Sequence, residues 1–403
     1  MRGIYSIIFG GVIAVVAAAC QGTDEHAQAQ PEVAVSATAC ANCGQPLGGL
    51  TAEQLDLFNE GLEEFSATED PDEGLGPVFN ANGCGTCHNV PAIGGPGTFK
   101  VTRFGHTNDD GSFDPLAELG GSLRQDHGIG ELGVCGQQAE ITPDAANTHA
   151  NRRTTALWGF GLLAAIPDDQ LRLVASLEPA SIRGIVNTVT DVDTGEQRVG
   201  RFGWKAQVAT LRTFAGDAYV NEMGITNPLF PTENCPQGDC NALIECDQVP
   251  DPEDDGTDMQ KFADFMQFLA APARGNQNLA TTLGNVAFIA IGCAGCHTPT
   301  LFTGSSDVAA IDHQTIHPFS DFLLHDMGAL GDGITQGAAT GRLIKTPPLW
   351  GTSANPFFLH DGRAASLDEA IRAHDGQGRG ARNRYVALDG FTRGLILAFL
   401  NSL

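Results

Sequence analysis

The chain has 403 residues, more than one typical domain needs, and its 42% hydrophobic content is enough to bury cores. Acidic residues outnumber basic ones 48 to 22, and the resulting formal charge of −26 excludes a nucleic-acid binder, whose phosphate contacts require lysine and arginine. A basic protein partner, or none, suits that charge.

Residues 1–20 run from a short basic start through an apolar stretch to small residues ending at Cys20. That run is too short for a stable membrane span and reads as an export signal. The small residues before Cys20 resemble a lipoprotein box, with Ala17 where leucine is more usual. Cleavage there makes Cys20 a lipidated first residue, and Gln21 after it favours the outer membrane. Cleavage after an alanine would instead leave a soluble periplasmic protein. Residues 21–50 form a polar, alanine-rich and proline-bearing linker.

In "TAEQLDLFNEGLEEF" (51–65), Leu55, Phe58, Leu62 and Phe65 recur at helical spacing and open a first domain over 51–246. A glycine- and proline-rich loop then carries "GCGTCHNV" (83–90). Residues 186–202 alternate in places and turn at Asp193-Thr194-Gly195, which predicts a β-hairpin. The acidic stretch 247–258 marks a boundary to a second domain over 247–403; a solvated loop inside one unit is the alternative. After it come the helical "MQKFADFMQFLAAP", a second motif "GCAGCHTP" (292–299), and a closing amphipathic helix, "FTRGLILAFLNSL". Strand signals are few, so the expected fold class is mainly α, with long loops and a small β-hairpin.

Cys84, Cys87 and His88 stand in the same order as Cys293, Cys296 and His297. In Cys-x-x-Cys-His, two thiols add to the vinyl groups of a haem and the adjacent imidazole reaches its iron. One copy alone leaves a disulfide loop or half a zinc site open. Two copies in an exported chain point to two covalently bound c-type haems, with His88 and His297 as iron ligands. Of the 11 cysteines, Cys40, Cys43, Cys135, Cys235, Cys240 and Cys246 remain besides Cys20. An even number in an oxidising compartment predicts up to three disulfides, a local one in "CANC" among them.

A second repeat surrounds the motifs. "RTTALWG" (153–159) matches "KTPPLWG" (345–351), and "FGWKAQVATLRTFAGDA" (202–218) aligns with "FLHDGRAASLDEAIRAH" (358–374). Trp204 then falls on His360, and Ala218 on His374. Ser366 and Glu369 have capping-box spacing, and Leu367, Ala370, Ile371 and His374 share one helical face. His374 is the preferred second ligand of the His297 haem, with His325 and Met327 as competitors. In the first copy alanine cannot bind iron, so the His88 haem lacks this ligand and has Phe214 nearby to exclude water. Glu222, eleven residues after Leu211, lies about three turns along if the helix persists. It is either a proton-transfer group or a solvated helix-end glutamate. His106, His127 and His149 are the other imidazoles able to fill the first haem.

These residues, with "GLGPVFNANGCGTCH", "GFGLLAAIP", "GRFGWKA", "NEMGITNP", "LLHDMG" and "FLHDGRAASLDEAI", resemble the bacterial di-haem oxidoreductase (thiol oxidoreductase-like) family. That family lies in the superfamily of di-haem cytochrome c peroxidases and MauG-type enzymes. The resemblance runs from about residue 50 to the C-terminus. It implies two cytochrome c-like domains whose haems face across an interface. It also implies hydrogen peroxide reduction at the N-terminal haem, with electrons relayed from the C-terminal one. Trp204 matches the tryptophan between the haems, Glu222 the acidic residue of an "EM" context, and His360 the "HDG" histidine at the interface. His374 stands where peroxidases carry Met and MauG carries Tyr, and bis-His ligation lowers the haem potential relative to His/Met. Phe214 replaces the distal-helix glutamine, and "LLAAI" lacks a glutamate common in relatives. Calcium between the domains is implied by relatives, but no ligand set is identifiable from the sequence. The expected partners are peroxide or dioxygen and a small cytochrome c or cupredoxin donor. Two rivals remain: an oxygenase or substrate-modifying enzyme using dioxygen, and a di-haem electron carrier.

Overall fold

In the computed structural model, residues 40–403 are described; the export signal, Cys20 and most of the linker lie outside them. The helix Ala52–Ser66 begins at Thr51, whose side chain accepts from the Gln54 N–H while Gln54 reaches back to the Thr51 N–H. This reciprocal cap satisfies two otherwise unpaired donors. Phe58 and Phe65 of the expected stripe are buried, whereas Leu55 is exposed. They pack on Phe262 and Phe265 of the helix Thr257–Phe268, with Phe65 and Phe265 rings 4.7 Å apart. Gly61 permits the crossing, because a Cβ there would collide with the Lys261 carbonyl.

The second half repeats this arrangement. Leu279–Ala290 crosses the C-terminal helix Gly390–Leu400 at Gly284, where a Cβ would collide with the Leu395 carbonyl. Each crossed pair buttresses one Cys-x-x-Cys-His unit. The acidic loop placed at the 246/247 boundary therefore does not separate the lobes. The helix that follows it returns to Ala52–Ser66 in the first lobe, and the crossover comes after Phe268.

Strand content exceeds the expectation. Lys100–Thr107 pairs antiparallel with Thr148–Arg153, from Lys100 opposite Arg153 to Gly105 opposite Thr148. Phe113–Asp114 and Leu123–Arg124 also pair with it, which completes a four-stranded sheet. The expected hairpin is present as Thr188–Thr190 paired with Gln197–Val199, with Gly195 at φ 72° in its turn. The fold remains mainly helical.

The two halves hold each other through an exchange that obeys the internal alignment. The Arg153 N–H donates to the His360 carbonyl (2.8 Å), and the Lys345 N–H donates to the Trp204 carbonyl (2.9 Å). Phe202 bridges Val208 just as Phe358 bridges Ala364. Trp158 packs on Gly351, and Trp350 packs on Gly159, where a Cβ would come within 2.7 Å of the ring. Across the same seam, Asp332 pairs with Arg152 (2.7 Å) and Lys205 (2.8 Å), all three side chains 5% exposed or less. Among the described residues three disulfides form, Cys40–Cys43, Cys135–Cys246 and Cys235–Cys240.

Candidate functional site

With those six cysteines paired, the thiols left free among the described residues are Cys84, Cys87, Cys293 and Cys296, the four of the two motifs. Free thiols in an otherwise oxidised chain fit thioether attachment of a haem.

The second motif opens on a cavity of about 860 Å³, within the size range of a cofactor site. His297 and His374 face one another across it, ring centres 6.4 Å apart. Two metal–nitrogen bonds of about 2 Å, plus the reach from each ring centre to its nitrogen, account for that span. The tautomers agree. His297 Nδ1 bonds the Phe319 carbonyl (3.0 Å), and His374 Nδ1 bonds the Ala370 carbonyl (2.7 Å). A carbonyl only accepts, so each Nδ1 carries the proton and each Nε2 keeps its lone pair for a metal. Burial, then the neighbouring His374, pushes His297 down to about 4; burial also lowers His374. Both rings are neutral, as metal ligands must be.

His374 owes its position to the helix Leu367–Ala373, capped by Ser366, which accepts from the Glu369 N–H. The histidine is the residue just past the helix, and its ring satisfies a terminal carbonyl. Its competitor His325 is otherwise engaged. His325 Nε2 lies 2.9 Å from Asp321 and Nδ1 lies 3.2 Å from the Gln377 side-chain carbonyl, so both nitrogens donate. Burial opposes its charge, but the Asp321 carboxylate beside it outweighs burial and raises the pKa of His325. An imidazolium has no lone pair to offer a metal. Met327 lines the same cavity.

The first motif is built differently. Burial lowers the pKa of His88 to about 4, against the Gly95 carbonyl, which bonds Nδ1 (3.3 Å), and the Thr155 carbonyl, which also acts on the ring. Its ring neighbour is Phe65, at 5.9 Å, not a second imidazole. His127 pairs with Glu131 at the surface, His106 bonds the Ala145 carbonyl, and His149 is exposed. After Leu211–Ala218 the helix does persist, as a wide turn over Tyr219–Met223 that ends at Gly224. This turn carries Glu222, whose carboxylate accepts from Asn80 Nδ2 (2.9 Å). The Asn80 N–H in turn donates to the Glu222 carbonyl (2.8 Å). Glu222 acts electrostatically on both Cys84 and Cys87, so it stands beside the first motif and is no solvated helix end. Burial raises its carboxyl to about 7, against the pull of Arg103 and Asn80.

Arg103 is a candidate site residue that carries no signal in the sequence. Burial lowers its guanidinium to about 10, Glu222 and Asp217 oppose that shift, and its Nε has no hydrogen-bond partner. Phe214 lies in an aromatic triangle with Phe160 (5.9 Å) and Phe202 (5.8 Å); its ring neighbours are these rather than His88.

Trp204 and His360 meet at the seam, ring centres 6.2 Å apart, and both line the cavity of the second motif. Trp204 Nε1 donates to the Arg153 carbonyl (3.2 Å), and the Arg153 guanidinium lies 6.0 Å from its ring centre. Burial lowers His360 to about 4.

A family model described as "Di-haem oxidoreductase, putative peroxidase" matches residues 142–403. The chain belongs to this di-haem oxidoreductase family. The match covers the second motif, His374 and the whole seam, and begins beyond the first motif. Two solved structures are distantly similar to this di-haem oxidoreductase. A hydrazine synthase from Kuenenia stuttgartiensis, pressurized with xenon, is 14% identical, with 98% of this chain and 100% of that one covered and a TM-score of 0.41. A MauG-like protein associated with microbial copper homeostasis is 13% identical, with 90% and 93% covered and a TM-score of 0.38. No curated protein matches the chain.

Proposed function

We propose that this di-haem oxidoreductase is an exported c-type peroxidase of two cytochrome c-like lobes. It reduces hydrogen peroxide at the His88 site with electrons that arrive through the His297/His374 site. The asymmetry between the two sites supports the reading: His297 faces a second imidazole, whereas the Glu222 carboxyl, with Arg103 acting on it, bears on the two cysteines of the first motif. Bound through the four cysteines, the haems would supply one-electron transfer and reductive O–O cleavage.

The chain supplies ligation, protons and exclusion of water. His297 and His374 each present Nε2, and His88 is the imidazole of the first motif. The Glu222 carboxylate takes a proton from the near peroxide oxygen and returns it to the leaving one; with two electrons and two further protons, one peroxide becomes two waters. Arg103 balances the carboxylate charge. Phe160, Phe202 and Phe214 form an apolar cluster in the core of the first lobe. Trp204 and His360 lie on the path between the sites. An acidic chain suits a donor with a basic face, a small cytochrome c or a cupredoxin. Export and lipidation at Cys20 would hold it on the periplasmic side of a membrane.

Electron paramagnetic resonance of the oxidised and half-reduced protein tests this. The expected result is one high-spin and one low-spin ferric signal, with peroxide turnover from a reduced donor. Two low-spin signals in both states would favour an electron carrier, and turnover with dioxygen alone would favour an oxygenase.

A further inference from the structure

Away from both haem motifs, the first lobe gathers a set of carboxylates that the peroxidase reading does not use. Glu233, Asp251 and Glu253 each bring an oxygen within 4.8 Å of the others. Glu233 is 6% exposed, and neither of its carboxylate oxygens accepts a well-formed hydrogen bond, the Asn234 N–H offering only partial compensation. A buried carboxylate without partners is costly unless it is protonated or bound to a cation. The charged neighbours that act on it, Glu253, Asp251 and Asp247, are all acidic.

The other members are held in place. Thr226 donates its backbone N–H to Glu253 Oε2 (2.6 Å), and its hydroxyl lies 2.7 Å from Asp251 Oδ1 and 2.5 Å from Glu253 Oε2. The disulfides Cys235–Cys240 and Cys135–Cys246 fix the chain two residues after Glu233 and one before Asp247. Like charges so tethered cannot relax apart.

We propose that Glu233, Asp251 and Glu253 form a binding site for a hard divalent cation, calcium by its ligand chemistry. An all-oxygen set of carboxylates on irregular loops suits calcium, which accepts six to eight oxygens in flexible geometry, over magnesium, which demands a near-ideal octahedron. The site lies wholly within the first lobe and its case is independent of the haem reading. It also has a structural reach. A Cβ on Gly76 would lie 2.9 Å from Glu233 Oε1, and the Gly76 N–H donates to the Met223 carbonyl, next to Glu222. The cation would tie the Glu233–Glu253 loop to the backbone that carries Glu222.

The test is calorimetric titration of the chelator-treated holoprotein with calcium chloride, paired with thermal melts. One saturable site per chain is expected, with a melting temperature that climbs with calcium concentration. Glu233→Gln should abolish both effects. Asp251→Asn, at the exposed edge, should weaken binding at least tenfold while the haem spectrum stays unchanged, which keeps the test valid if the buried variant misfolds. Absence of saturable binding, binding unaltered in Asp251→Asn, or magnesium bound as tightly as calcium would each overturn the assignment.

Discussion

The rings of Trp204 and His360 meet edge to face at 6.2 Å, and the two residues hold the same position in the two halves of the internal repeat. Each carbonyl accepts a backbone N–H from the opposite half, Trp204 from Lys345 and His360 from Arg153. Trp204→Phe keeps the ring packing but removes the indole donor to the Arg153 carbonyl. We expect a loss of about 0.5–1.5 kcal/mol in stability. Inter-haem electron transfer should slow, read by stopped-flow absorbance after partial reduction. Unchanged transfer would remove Trp204 from the path.

His374→Ala should convert the second haem from low spin to high spin without detaching it, because Cys293, Cys296 and His297 are untouched. His374→Met should keep it low spin and raise its potential. His325→Gln serves as the contrast. Its ring is committed to Asp321 and Gln377, so the spin state should not change. Magnetic resonance and redox titration read all three.

Glu222 sets two pH dependences. In the peroxidase reading its carboxylate is the working form, so kcat/KM should rise with pH through about 7, the value to which burial raises it. Glu222→Gln should lower the rate by about 10²–10⁴-fold and flatten that limb. Folding raises this carboxyl from 4.5 to about 7, so the native state holds the proton more tightly than the unfolded chain. Its contribution to stability is therefore full below about 4.5 and is lost as pH rises to 7. Glu222→Gln should match the parent melting temperature at pH 4 and exceed it at pH 8.

Asp332→Asn strands two buried cations, Arg152 and Lys205, at the seam. Breaking a buried network from one side costs about 3–5 kcal/mol. Chemical denaturation should show that loss, with the larger effect on association of the lobes.

Gly159→Ala and Gly351→Ala each place a methyl against the tryptophan of the other half, at φ 68° and 72°. Overpacking of about 1–3 kcal/mol adds to the backbone strain. Melting temperatures should fall similarly in the two variants, because the contacts are reciprocal.

What the sequence revealed follows from the range of each signal. The Cys-x-x-Cys-His units, the hairpin turn and the Ser366 cap are local, so spacing alone located them. His374 was legible from its spacing after Ser366, although it stands just past the helix and the Ala370 carbonyl orients its ring. The exclusion of His325 was not, since it depends on Asp321 and Gln377 meeting one ring. Arg103 sits in "KVTRFGHT", a strand whose partners lie up to 53 residues away, with nothing local to mark it. The acidic loop looks like a linker in sequence, while the helix beyond it closes on Ala52–Ser66, a contact that no local signal marks.

Two identical subunits related by a dyad must place the same side chain on both sides of their axis, and whatever crosses between them faces equal chemistry in either direction. Here the halves are one polypeptide, so that restraint is lifted, and the crossing point holds an indole on one side and an imidazole on the other. Covalent linkage is what lets a near-symmetric scaffold place two different side chains at its crossing point.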